Sequence, residues 1–157
     1  LGDVYKRQLE GSVTLEDELL NAMYEVVKAH SELLKSIERR YGGKPYGIHE
    51  WFRIELMHKL GWNNVESYAV GKGRPKGPDL IVRGELVELR PVLNYDVGYI
   101  MSGFNKSPKP KYVAFIAFFK QDFLNKLQNE TEERGYKFKF KMVKLESTNW
   151  IVGVVYT

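Results

Sequence analysis

At 157 residues, with 43% hydrophobic and 28% charged side chains, the chain is one domain's worth of ordinary globular composition, long enough to bury a core without covalent staples. It contains no cysteine, which excludes disulfides, zinc fingers and thiol nucleophiles and fits a reducing, cytoplasmic setting. A net charge of +4 leans toward anionic partners, and no apolar run reaches the roughly 20 residues of a membrane span, so no membrane partner is expected.

Residues 3–8, DVYKRQ, resemble one reading frame of a transposon end used in preparing sequencing libraries, so residues 1–8 are expected to be a scar and are set aside. From Thr14 the pattern turns helical: Thr14 can cap, Asp17 follows three residues on, and Glu16 and Glu18 favour the first turn. Leu19, Met23, Val26, His30, Leu33 and Ile37 recur at helical spacing, with Leu20, Val27, Leu34 and Tyr41 beside them, up to the stop at Gly42-Gly43. One long amphipathic helix is therefore expected within residues 9–43, ahead of a domain at 44–157. Its apolar stripe can pack on that domain or on a second copy of itself as a homodimer through residues 14–41. His30 on this stripe reads as a core histidine.

GIHEWFRIELMHKLG, residues 47–61, predicts a second helix with almost no polar side, enclosed by protein on most faces and carrying Glu50 and Glu55. A carboxylate on an enclosed helix needs a partner. NVESYAV then reads as a strand and GKGRPKG as a basic loop. DLIV and ELVEL are two strands joined at Arg83-Gly84. After the SGFNKSPKP loop, KYVAFIAFF is an apolar strand suited to a sheet centre. KQDFLNKLQNETEERG reads as an exposed helix. YKFKFKMVKL and WIVGVVY close the chain as a hairpin, with Lys137, Lys139 and Lys141 sharing one face.

The sharpest inference concerns the first hairpin. A two-residue turn at Arg83-Gly84 pairs Val82 with Glu85, Ile81 with Leu86 and Leu80 with Val87, which puts Asp79 opposite Glu88; a four-residue loop gives the same register, and an odd-length loop breaks it. Directly opposed residues share a face with Cβ atoms roughly 4.5–5.5 Å apart, and like charges there are destabilising. Arg90 shares the face of Glu88 by alternation. Two readings stay open: a structural ion cluster neutralised by Arg90 and Arg74, or a divalent-cation site, since hard cations take oxygen ligands from one or two carboxylates plus water and phosphate.

Glu50 in a helix, Pro78-Asp79, and Glu88-Leu89-Arg90 resemble the motif set of the PD-(D/E)XK nuclease superfamily, the restriction-endonuclease-like fold. HEWFRIELMHKLGW is similar to the first helix of Mrr-type restriction endonucleases and archaeal Holliday junction resolvases, a register that selects Glu50 over Glu55. The resemblance spans roughly half the chain, from about Gly47 to Phe119. It implies an α/β fold: an α-β-β-β-α-β core with a mixed sheet, flanked by the N-terminal long helix and a C-terminal helix and hairpin. It further implies that Asp79, Glu88 and the Leu89 backbone carbonyl ligate Mg2+ or Mn2+, with Glu50 joining directly or through water. Arg90 stands at the position of the family's lysine. Arginine stays charged, so it can stabilise phosphate charge and cannot serve as a base.

The expected activity is hydrolysis of DNA phosphodiesters, with RNA as the alternative substrate. Lys72, Arg74 and Lys76, ahead of Asp79, become candidate phosphate contacts, or a solvated loop. The Lys137–Lys139–Lys141 face either extends that track or protects an edge strand from aggregation. The competing readings are a catalytically inactive relative that binds nucleic acid or a partner, motivated by Arg90, and a structural protein with a charge cluster at the hairpin. Other enzyme signatures are lacking: GKGRPKG does not have the Walker spacing, His49 and His58 are not at i and i+4, and GxSxG is not present.

Overall fold

The computed structural model describes residues 14–41, 47–67, 77–91, 97–118, 122–135, 138–146 and 148–157. The Gly42-Gly43 helix stop and the presumed scar at 1–8 lie outside them.

Helix α1 (Leu15–Ala29) starts where the capping residues put it. The Thr14 hydroxyl accepts from the Asp17 amide at 3.4 Å and donates to the Asp17 carboxylate at 2.8 Å. Leu19, Leu20, Met23, Val26 and Val27 form its buried side. The single helix expected over 14–41 is in fact two. His30 leaves the helical conformation at φ −117° and ψ 24°, and α2 (Ser31–Tyr41) begins afresh after it. Ser31 and Glu32 are residue types that favour a helix start. The break also turns His30 onto α3 (Ile48–Leu60), where its ring stands edge-on to Trp51 at 5.3 Å and 3.5 Å from Glu55. His30 is thus a partly exposed neighbour of Trp51 and Glu55, not the core histidine expected.

Helix α3 buries only Phe52, Leu56 and Leu60, one side at i, i+4 and i+8. Ile54 on the other side is 53% exposed, so α3 is not enclosed on most faces as its composition suggests. Apolar content exceeded the burial available at this surface position.

Six strands form one mixed sheet in the order β1-β2-β3-β4-β6-β5. They are β1 (Val65–Ser67), β2 (Leu80–Val82), β3 (Glu85–Pro91), β4 (Tyr112–Phe118), β5 (Lys139–Lys144) and β6 (Trp150–Tyr156). β3 and β4 run parallel and every other neighbouring pair antiparallel. The parallel pair requires a crossover, which is supplied by α4 (Val97–Met101) and a 3-10 turn at Ser102–Asn105. Helix α5 (Phe123–Glu133) follows β4 and buries Phe123, Leu127 and Thr131.

Alternation along the strands divides the core in two. Leu80, Val82, Val87, Leu89, Ala114 and Val154 pack with α1 and α3. Val113, Phe115, Ala117, Ile151 and Val155 pack with α4, the 3-10 turn and α5. The result is an α/β architecture with the sheet between helical layers. The apolar row of α1 is consumed inside this core, and Leu33 at 45% exposed is what α2 presents outward.

The β2–β3 connection has the even length that the acid pair requires. Val82 pairs with Glu85, Ile81 with Leu86 and Leu80 with Val87. Arg83 at φ 50° and Gly84 at φ 79° form a two-residue turn with both centres left-handed, the conformation that follows the twist of paired strands. Because a side chain at positive φ costs about 1–2 kcal/mol, Gly84→Val is expected to lower stability by about that amount in urea denaturation, and Gly84→Asn by clearly less. Equal midpoints for the two variants would contradict this account of the turn.

Candidate functional site

Leu80, Val82, Val87 and Leu89 face the α1–α3 side, so Glu88 and Arg90 face the other. The strand register ends at Leu80–Val87, and the Asp79 amide bonds the same Val87 carbonyl at 3.1 Å, so the ladder does not continue regularly to an Asp79–Glu88 backbone pair. The side chain of Asp79 nonetheless comes close enough to Glu88 for each acid to perturb the titration of the other. Glu88 is 1% exposed. A carboxylate so placed beside a second one is costly unless something neutralises it.

Three devices do so. The first is a shared proton. Burial, then the hydrogen bond to Asp79 and its negative charge, push Glu88 up to about 8, against the attraction of Arg90 and Lys106. Burial would raise Asp79 as well, but hydrogen bonds from His49 and Glu88, the charge of His49 and the Leu89 amide together hold it down at about 2. The two acids thus release their protons far apart in pH, as a pair, one below and one above the ordinary carboxylate range. The second device is cationic: Arg90 Nη1 lies 3.0 Å and Lys106 Nζ 3.8 Å from the same Oε2 of Glu88. The third is the backbone, since the Leu89 amide donates to Asp79 Oδ2 at 2.8 Å.

Arg90 is fixed in turn by Tyr99 on α4. Its guanidinium carbon lies 4.4 Å from the tyrosine ring centre, and Nη1 donates to the hydroxyl at 3.4 Å. Gly103 in the 3-10 turn allows the crossover to lie flat on the pair. A Cβ there would fall 3.1 Å from Glu88 Cγ and 2.9 Å from Val113 Cγ2. This close approach brings Lys106, at the end of the turn, onto Glu88.

Glu50 reaches the pair through an intermediary. His49 Nε2 is 3.1 Å from Asp79 Oδ1 and its Nδ1 is 3.3 Å from Glu50 Oε1, while Glu50 Oε2 takes Arg53 Nη2 at 2.5 Å. The hydrogen bond to Asp79 raises His49 above its ordinary value; burial opposes this and the charges of Asp79 and Glu50 support it. Among the described residues no three His, Asp or Glu side chains converge closely enough to ligate one ion as they stand. Glu50 is tied to His49 and Arg53 instead.

The structure therefore brings Asp79, Glu88, Leu89 and Arg90 together and links Glu50 to them by way of His49. Lys72, Arg74 and Lys76 lie outside the described residues, as does Lys137. Lys141 is engaged elsewhere: its Nζ contacts Asp17 of α1 at 2.8 Å, so that side of edge strand β5 looks onto a helix. Tyr99 and Lys106 carry no site signal in the sequence, and the role of His49 beside Asp79 is not legible there either. His49 had a local signal, standing next to Glu50 at the start of α3, where it was weighed only as a zinc ligand. For Tyr99 and Lys106 the signal is purely tertiary, because the crossover delivers them.

Comparison with family models, with curated proteins and with solved structures yields no match to the chain. The function is accordingly argued from the site.

The acid pair dictates how stability varies with pH when no cation is bound. Between 4.5, the ordinary value for the glutamate, and about 8, the folded state holds a proton on Glu88 that the unfolded chain has released. Stability falls as pH rises across that window. His49, raised by Asp79, adds to the fall as its own proton leaves. Asp79 acts at the other end, adding stability that is lost as pH drops from 3.8 toward about 2. In chelator, Tm is expected to be higher near pH 5 than at pH 8.5, and Glu88→Gln, which keeps a donor toward Asp79 without the proton, is expected to flatten the slope and raise Tm at pH 8.5 by a few degrees. A wild-type Tm that climbs from pH 5 to 8.5 would contradict the shared proton.

Proposed function

We propose that the chain is a metal-dependent nuclease that hydrolyses phosphodiester bonds of DNA, built on the PD-(D/E)XK plan. The observation that carries this reading is the acid pair, a buried Glu88 beside a partly exposed Asp79 at one end of a β-ribbon, with cations around it. The element order supports it: helix, three antiparallel strands with the acids on the second and third, a short helical crossover, and a parallel fourth strand. That series follows the order expected of the α-β-β-β-α-β core of the restriction-endonuclease-like fold, and α1, α2, α5 and the β5–β6 hairpin would be additions to it.

The donor chemistry fits Mg2+ or Mn2+. Asp79 and Glu88 offer hard oxygens, and a divalent cation does for their repulsion what the shared proton does without it. The Leu89 amide points toward Asp79, and in a strand a residue's N–H and C=O leave on the same side, so its carbonyl is directed to the same edge. When bound, such an ion polarises the phosphate and lowers the pKa of an attacking water. The protein's part is to hold the two acids in register, to fix Asp79 between His49 and the Leu89 amide, and to keep positive charge beside Glu88. DNA is the substrate this reading favours, with RNA sharing the same phosphodiester chemistry.

One observation favours a second reading, a non-catalytic relative that binds nucleic acid or a partner. Arg90, at the position where the superfamily carries lysine, is already engaged with Glu88 at 3.0 Å.

Metal binding separates the two. Millimolar Mg2+ or Mn2+ at tenfold excess over its dissociation constant is expected to stabilise the fold by about 1.4 kcal/mol, or roughly 3–6 °C. The shift is expected to be larger at pH 8 than at pH 6, because the shared proton must leave first. Asp79→Ala and Glu88→Ala are expected to abolish both the shift and the cleavage of plasmid or branched DNA. A wild-type chain that shows neither shift nor cleavage with either ion would overturn the nuclease assignment and leave the binding role.

A further inference from the structure

We infer that Lys106, and not Arg90, is the cation that meets the scissile phosphate, while Arg90 is a positioning residue that holds Glu88; the inference rests on the nuclease reading of the same site. Arg90 stands at the motif position, yet its surroundings leave it little access to a substrate. Its side chain is 10% exposed, Nη1 serves both Glu88 and the Tyr99 hydroxyl, and the Tyr99 ring covers the guanidinium at 4.4 Å. A planar guanidinium held by two partners and stacked under a ring is rigid. It can keep Glu88 in place, and with 10% of its side chain exposed it offers a phosphate less than Lys106 does at 35%.

Lys106 has the opposite character. Its side chain is 35% exposed, and its Nζ lies 3.8 Å from Glu88 Oε2, a looser contact than the 3.0 Å of Arg90 to the same oxygen. An ammonium on a four-carbon stem can swing, which a stacked guanidinium cannot. Asp79, with 17% of its side chain exposed, marks where solvent reaches the acid pair. A phosphate drawn to a cation between the acids would arrive from this open rim. With a divalent cation held by Asp79 and Glu88, Lys106 would be bound less closely by Glu88, and its ammonium, 3.8 Å from Oε2, would be within reach of a non-bridging phosphate oxygen. Charge building on that oxygen as water attacks is met by a donor already in position. The placement is built into the fold, because only a glycine at position 103 lets the turn bearing Lys106 lie against Glu88 Cγ and Val113.

The test uses the full chain, with wild type, Lys106→Gln, Lys106→Arg and Arg90→Lys compared on a fluorescein-labelled DNA duplex. Binding is followed by anisotropy in calcium across a salt series, and cleavage by single-turnover rates in magnesium. Lys106→Gln, at unchanged Tm, is expected to make the log K against log salt slope shallower by about 0.9, the loss of one phosphate contact, and to slow cleavage roughly 100-fold or more. Lys106→Arg is expected to restore the slope and most of the rate. Arg90→Lys is expected to lower Tm and leave the slope as in wild type. A wild-type slope and rate in Lys106→Gln overturn the inference and leave the nuclease reading standing. If wild type does not cleave but Lys106→Gln loses the slope, the hydrolytic reading falls and the phosphate contact stands; no cleavage with no change of slope removes both.

Discussion

Two carboxyl groups pressed together across a β-ribbon, one of them almost entirely out of water, set the terms for the surrounding structure. Neither can be ionised at low cost while the other is, so the pair must hold a proton, or a cation must come to it. The neighbouring features follow from that need. The Leu89 amide is spent on Asp79 and not on a strand partner, Arg90 is held beneath an aromatic ring, and the crossover presses onto Glu88 through a residue with no side chain. The pair itself depends on a turn of even length, because one added residue would send Asp79 to the opposite side of the ribbon.

The site is assembled from three layers that share little sequence proximity. Helix α3 packs on one sheet face yet sends His49 around the end of β2 to Asp79, while α4 and the 3-10 turn cover the other face and supply Tyr99 and Lys106. The acids stand where these layers meet. This location explains their unequal environments: Asp79, at the margin, is reached by His49 and partly by solvent, whereas Glu88, one strand further in, is closed over. The same asymmetry holds Asp79 below and Glu88 above the ordinary carboxylate range. It also separates the cations into a fixed one and a swinging one.

The remainder of the chain supports this arrangement without entering it. The apolar row of α1 lies against the sheet, and Asp17 near its start holds Lys141 of the edge strand, so a row of lysines that reads as a nucleic-acid track is in part an internal tie. An ion pair of this kind, with both groups partly screened, contributes modestly to stability. Its greater consequence is orientation: β5 presents Lys141 to α1 and Phe140 and Met142 to the opposite core. Period-two alternation predicted which residues share a face but was silent about what that face would meet.

What the amino-acid order by itself determined is everything governed by local periodicity. The register from Val82–Glu85 to Leu80–Val87 and the two-residue turn at Arg83-Gly84 follow from two short strands and an even connection, and with them the side taken by Arg90. The start of α1 at Thr14 and the apolar centre strand at 112–118 were legible for the same reason: capping and alternation act over a few residues. The break at His30 was not legible, because its gain lies in contacts with Trp51 and Glu55 on another helix, and the exposure of Ile54 was hidden because composition does not say which faces a neighbour will cover. Tertiary structure alone decided that His49 stands between Glu50 and Asp79, that Tyr99 covers Arg90 and that Lys106 reaches Glu88. Those contacts join segments distant in the chain, and their geometry is set by how helices pack on a sheet, a global outcome that no short stretch of residues encodes.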